Sequence, residues 1–160
     1  MLFIFQKNIE MKDKLEIKLK EGLNELKFGL GMDEVRKLLG NPDEIENVKE
    51  IEGNTEVWYY IEDGLTVFFG EEEGWRCICL ETDNENAVVL GKKISELKES
   101  QIEKLFSSNG YNDFEAETET WGEKRIGISD AVIDFYFDGE DIVAVNWGMD
   151  YDDEGEPIWP

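Results

Sequence analysis

The chain has 160 residues, with 39 Asp and Glu against 16 Lys and Arg, no histidine, and a formal net charge of −23. It therefore lacks the one unperturbed side chain that titrates near neutral pH, which is also the commonest metal ligand. Its field repels nucleic acid and anionic membrane and draws in basic partners. Catalysis, cofactors and metals are disfavoured, and a non-enzymatic protein that binds a cationic protein is favoured.

An apolar fraction of 41% and an aromatic fraction of 12% supply the core that a disordered acidic chain lacks. No stretch approaches the roughly 20 apolar residues of a membrane span. The apolar start, residues 1–5, is too short for a signal peptide and fits a short strand or a frayed end. The expected setting is cytoplasmic.

In chain order, residues 15–20 alternate apolar and charged side chains, which predicts an edge strand whose lysines discourage pairing with another chain. Gly29-Leu30-Gly31 precedes a helical pattern, but Glu34 stands where a dinucleotide fingerprint needs its third glycine. A tight strand-to-helix turn explains these glycines. Over residues 30–39 the apolar side chains recur at helical spacing, with Asp33 as the expected N-cap and Gly40-Asn41-Pro42 as the stop.

Strand-like runs follow at 57–61, 65–69 and 75–80, separated by Asp- and Gly-rich turns. Cys77 and Cys79 flank Ile78. Two residues apart in a strand they would share a face, a poor geometry for a disulfide, and no further soft ligands exist for a metal. Structural thiols in a reducing compartment are expected.

The helical pattern returns at 97–106, at an offset of 67: Leu97, Ile102, Leu105 and Phe106 take the places of Leu30, Val35, Leu38 and Leu39. Ser100 is the expected N-cap, Ser100 with Glu103 forms a capping-box pattern, and Asn109-Gly110 is the stop. Strand-like runs then recur at 124–128, 131–137 and 142–147. At an offset of 68, Leu65, Val67 and Phe69 match Ile133, Phe135 and Phe137 as the core side. Thr66 and Phe68 match Asp134 and Tyr136 on the outer side. The expected fold is α+β: two tandem helix-plus-antiparallel-meander units forming one sheet with short helices on one face. Residues 1–81 hold the N-terminal strand and the first unit, and residues 82–160 hold the second unit and an acidic C-terminal tail.

This arrangement resembles the β-lactamase-inhibitor-protein-like tandem-repeat architecture over roughly residues 20–149. The residues that carry the resemblance are Phe28 through Val35 with Leu38-Leu39-Gly40-Asn41-Pro42. Residues 94–109 form a degenerate counterpart that lacks the Gly-x-Pro ending. The resemblance implies a concave binding surface on the strand face away from the helices. Small acidic bacterial proteins of this kind include immunity proteins that neutralise toxin domains.

The acidity is uneven. Residues 1–40 hold seven acids and eight bases, whereas residues 111–160 hold 15 acids and two bases. The alternating run 115–120 would lay Glu115, Glu117 and Glu119 along one strand face, a row of carboxylates that can stand in for phosphates. On the outer sheet face the expected partner-binding residues are Trp58, Tyr60, Phe68 and Tyr136 with Asp134. Trp121, Asp138 in the following turn and Trp147 are placed there with less support. Large aromatics flanked by carboxylates suit an interface that receives Lys or Arg. Burial under loops or the other unit, as ordinary core, explains Trp58 and Tyr60 equally well. Asp150 through Gly155 resembles the opening of an EF-hand loop, but position 12 would be residue 161, so a solvated acidic tail is expected. The function expected from sequence is neutralisation of a basic protein, most plausibly a nuclease-like toxin domain. The alternative is an adaptor domain with a generic acidic surface.

Overall fold

The computed structural model describes residues 15–160. The expectation for residues 1–5 lies outside that range. The strands are β1 (Leu15–Lys18), β2 (Gly22–Leu23), β3 (Leu26–Lys27), β4 (Glu44–Glu50), β5 (Gly53–Tyr60), β6 (Leu65–Gly70), β7 (Arg76–Thr82), β8 (Ala87–Val89) and β9 (Lys92–Lys93). They continue with β10 (Phe114–Thr118), β11 (Lys124–Ile128), β12 (Ile133–Asp138), β13 (Asp141–Gly148), β14 (Asp150–Tyr151) and β15 (Pro157–Ile158). Two α-helices interrupt them, α1 (Met32–Leu39) and α2 (Glu99–Ser108).

The α+β expectation of two helix-plus-meander units forming one sheet is overturned. Strand makes up 49% and helix 16%, with two short α-helices among the described residues. The main body is an eight-stranded antiparallel sheet in the order β10-β11-β12-β13-β7-β6-β5-β4. A second, five-stranded sheet in the order β3-β2-β1-β8-β9 packs against it.

The second sheet also corrects the reading of residues 15–20. β1 is its central strand, paired antiparallel to β2 and parallel to β8, with Leu15 opposite Ala87 and Ile17 opposite Val89. Leu15 and Ile17 are buried while Glu16 is exposed. The alternation holds, but alternation reports which face is buried and says nothing of whether a strand is an edge.

The strands earlier assigned to the core side keep that role. Leu65, Val67, Phe69, Ile133, Phe135 and Phe137 are all buried in one continuous cluster. Helix α2 drives Phe106 edge-on against Phe135, with centroids 5.6 Å apart. Helix α1 buries Val35 and Leu39, carries acids in its first turn and bases in its last, and so complements its dipole. A helix this short depends on such packing. Both helices begin before the expected caps. The Glu34 carboxylate accepts from Gly31 N–H at 3.1 Å, and the Gln101 side chain accepts from Lys98 N–H at 2.9 Å. Asp33 and Ser100 therefore sit inside their helices, because the back-reaching side chain, rather than a hydroxyl or short carboxylate, satisfies the first orphan donor.

Gly29-Leu30-Gly31 is indeed a turn into the helix. Gly29 has φ +100° and exchanges hydrogen bonds with β7: Gly29 N–H donates to Cys77 O, and Cys77 N–H donates to Leu30 O. Trp159 packs on that glycine, where a side chain would begin 3.0 Å from the indole ring. The acidic C-terminal residues 151–156 are exposed, as a solvated tail requires, and are folded at the same time. β14 and β15 form a hairpin, and Asp152 Oδ1 closes its turn by accepting from the N–H groups of Glu154 and Glu156, each at 2.9 Å. Of the oxygens that suggested an EF-hand opening, Asp152 Oδ1 serves this turn, while the Asp150 carboxylate accepts from Tyr151 N–H at 2.9 Å and pairs with Lys20 at 3.3 Å.

Candidate functional site: the helix-free sheet face

Antiparallel partners directly opposite each other share a sheet face. Following partners across the eight-stranded sheet traces one continuous row: Glu44, Tyr59, Thr66, Glu81, Asn146, Asp134, Gly127 and Glu115. Every strand contributes one residue, and at the usual interstrand spacing the row spans about 33 Å. Four members are carboxylates and none is a cation.

A second row lies beside it: Glu46, Val57, Phe68, Cys79 and Gly148. Val57 is buried yet stands outside the main core cluster, as do Phe68 and Cys79. This face thus has an apolar strip of its own. Tyr136 and Arg125, paired across β12 and β11, and Glu117 opposite Arg125 extend the face on the other side.

Side-chain bonds tie the polar row together. The Cys79 thiol donates to Asn146 Oδ1 at 3.2 Å, and Asn146 Nδ2 donates to Glu81 Oε1 at 3.3 Å. Arg125 donates to Asp134 at 2.6 Å, to Glu117 at 2.8 Å and to Glu115 at 3.4 Å. Its hydrogen bonds to the Glu117 and Asp134 carboxylates push its pKa further above the ordinary guanidinium range. The Tyr59 hydroxyl donates to Glu46 at 3.2 Å. Burial, followed by that bond, raises its pKa. The Tyr136 phenol is held up by burial and by neighbouring Asp134. At neutral pH the face therefore presents neutral phenols, carboxylates, and a single guanidinium held by three of them.

The residues expected at the site divide between two faces. Phe68, Asp134, Tyr136, Glu115 and Glu117 lie together on the helix-free face. Trp58 and Tyr60 do not, and are corrected here. Trp58 is fully buried on the core side, its ring tilted against that of Phe69 with centroids 4.6 Å apart, under the Arg36 guanidinium, and it donates to Glu56. Tyr60 is buried and donates to Gly40 O at 2.9 Å. The reason is register: Tyr60 is opposite Leu65 and Trp58 opposite Val67, so both share the core face. Trp147 is likewise buried and donates to Gly22 O.

Glu119 leaves the row of Glu115 and Glu117 because β10 ends at Thr118. Its N–H donates to Glu123 O within the β10–β11 turn. Trp121 is 71% exposed in the same turn. Asp138 is exposed at the end of β12, opposite Asp141.

Cys77 and Cys79 face opposite sides, not the same one. A bulge between Phe68 and Phe69 makes Ile78 an extra residue, so Phe69 is opposite Cys77 and Phe68 opposite Cys79. Both thiols are free, and burial pushes their pKa values up, that of Cys79 to about 12. Among the described residues no group of three or more His, Cys, Asp or Glu is placed to hold a metal. No helix among them is long and apolar enough to cross a membrane.

No family model matches the chain, and no curated protein matches it. Its fold is similar to that of an extracellular protein containing a SCP domain from Bacillus anthracis str. Ames, with a TM-score of 0.50 over 84% of this chain. Identity is 16%, so the likeness is one of fold alone, and it spans 50% of that longer chain.

Sequence reasoning missed Tyr59, Glu81, Asn146 and Arg125. Arg125 had a usable signal. It and Lys124 are the only bases among residues 111–160, and they follow the glutamate run at hairpin distance. Glu81 and Asn146 had none, because their pairing joins strands 65 positions apart.

Proposed function

We propose that this chain is a non-enzymatic binding protein that neutralises a basic protein partner by laying the helix-free face of its large sheet over it. The observation that carries this reading is the eight-residue row, with carboxylates on β4, β7, β12 and β10 and no cation among its members. Successive carboxylates about 10 to 14 Å apart, one Debye length or more at 0.1 M salt, repel one another weakly and together attract a cationic surface. The partner that suits this field is a toxin domain of the nuclease type, whose cleft must be basic to hold phosphates.

The division of labour follows from burial. The exposed carboxylates of Glu44, Glu46, Glu115 and Glu117 would steer the encounter and set its salt dependence. Phe68 and the phenols of Tyr59 and Tyr136, each partly exposed, would supply the desolvated contacts that carry most of the affinity. Occlusion of the cleft requires no chemistry from this chain, which accords with the absence of histidine.

The test is zero-length carbodiimide crosslinking of the full chain to the basic protein it captures, with association rates measured at low and high salt. Crosslinks from partner lysines to Glu44, Glu81, Asp134 or Glu115 are expected, with an on-rate that falls about tenfold or more across the salt range. An on-rate indifferent to salt, or crosslinks confined to Asp152, Asp153 and Glu154, would reject the reading.

A further inference from the structure

β10 ends the order of the large sheet, so among the described residues no strand pairs with its outer side. The direction of its main-chain groups follows from the bonds that flank it. Ser129 N–H donates to Asp113 O at 2.9 Å just before the strand, and Glu119 N–H donates to Glu123 O at 2.7 Å just after it. Both pairs continue the β10–β11 register. Hydrogen-bonded pairs recur at every second residue of an antiparallel ladder. Glu115 and Glu117 therefore bond to β11, while the N–H and C=O groups of Phe114, Ala116 and Thr118 point away from it. β4, the other edge of this sheet, carries Lys49, a residue type that discourages pairing with another chain. β10 has no lysine.

A cavity of about 510 Å³ lies beside this edge, between β10 and the start of α2. Phe114 and Ala116 stand opposite residues that are buried, so they share the core-side face and give the cavity an apolar wall. Glu99 and Glu103 of α2 and Glu140 of the β12–β13 turn add an acidic one. Lys124 is also in the lining and is bonded to Glu99. Glu103 and Glu140 form no ion pair among the described residues. A free sheet edge beside a helix can seat an extended peptide: main-chain bonds give the affinity, and pockets for alternate side chains give the selectivity. A strand laid along β10 would hold every second side chain over this groove. A Lys or Arg there would set its apolar stem against Phe114 and Ala116 and its head towards the acids.

We propose that β10 accepts an extended segment of the basic partner as an added antiparallel strand, with Lys or Arg at every second position directed into the groove between α2 and β10. Main-chain bonds to Phe114, Ala116 and Thr118 hold the segment, and Glu103 and Glu140 select its charge. The proposal rests on the binding reading above for the partner's charge, and adds to it an attachment along the sheet edge.

The experiment is amide hydrogen exchange read by NMR on the full chain, with the N-acetylated, C-amidated peptide Thr-Lys-Thr-Lys-Thr-Lys-Thr as the probe. At saturation, exchange of the Ala116 and Thr118 N–H groups should slow about tenfold or more. In an antiparallel pair, lysines opposite Phe114, Ala116 and Thr118 point their own N–H groups at β10. N-methylation of the lysines should therefore abolish the protection, and N-methylation of the threonines should leave it. The same peptide with Glu in place of Lys should bind about tenfold more weakly or less. Ala116→Pro removes one outward N–H at an edge, where proline is tolerated, and should weaken binding about tenfold. The N-methyl-lysine peptide serves if that variant does not fold. No added protection at Ala116 and Thr118, protection that survives lysine N-methylation, or an equal response to the glutamate peptide would overturn the assignment. If salt-sensitive, row-directed crosslinking persists while β10 stays unprotected, edge pairing is rejected and the binding reading stands. If β10 is protected while the crosslinks and the salt dependence are absent, the reading of the face falls and the edge stands alone.

Discussion

Arg125 and Asp134 meet at 2.6 Å across a position, Gly127, at which any side chain would stand between them. The only guanidinium on this part of the sheet is thereby shared among three carboxylates from β10 and β12. It acts as an internal counterion, lowering the repulsion that Glu115, Glu117 and Asp134 would otherwise exert on one another.

Arg125→Gln should therefore separate stability from attraction. The arginine is 15% exposed, but its partners are 35% to 62% exposed, so solvent screens much of the interaction. A loss of about 1–2 kcal/mol is expected by urea denaturation, smaller at high salt. The same variant should bind a cationic partner with a steeper salt dependence, because three carboxylates lose their counterion.

Trp58 and Trp121 should behave as opposites. Trp58→Ala empties a fully buried site and should destabilise the fold by about 3–5 kcal/mol. Trp121→Ala, on an exposed turn, should change stability by no more than about 0.5 kcal/mol. Thermal and chemical melts of the two variants check this directly.

The two thiols should be inert in the folded chain near neutral pH. Burial raises both pKa values, Cys79 to about 12 from an ordinary value of 9.0. A raised folded pKa gives stability that is fully present below the unfolded value and lost as pH climbs towards the folded one. Stability should thus decline above about pH 9, with alkylation by iodoacetamide at pH 8 slow in the native state and fast in denaturant. Rapid native-state alkylation of Cys79 would contradict its placement.

Net charge gives a further expectation. At −23 the folded chain repels itself, so its melting temperature should rise as salt is raised from about 10 mM to about 200 mM. A flat profile would contradict this expectation.

Legibility from sequence followed the clarity of alternation. In β6 and β12 large apolar side chains fall at every second position, with Thr66 and Asp134 marking the outward side, and that phase agrees with the structure. In β5, residues 57–60 are Val, Trp, Tyr and Tyr, apolar or aromatic on both faces, so alternation sets no phase. There the loop decides: residues 61–64 bring Tyr60 opposite Leu65 and turn Trp58 inward with it. β4 and β10 lie at the sheet edges, are exposed over nearly their whole length, and read as polar segments. The second sheet was invisible because its strands are two to four residues long and its central pairing joins β1 to β8. Strands so short carry too few residues for a pattern.

The pairing of Glu81 with Asn146, which closes the large sheet between β7 and β13, joins residues 65 positions apart. Such a contact carries a loop-closure entropy that local contacts do not. The carboxylate row is continuous only once that seam has shut. No peptide cut from either side can reproduce it, and under the binding role proposed above, recognition by a cationic partner would report that folding is complete.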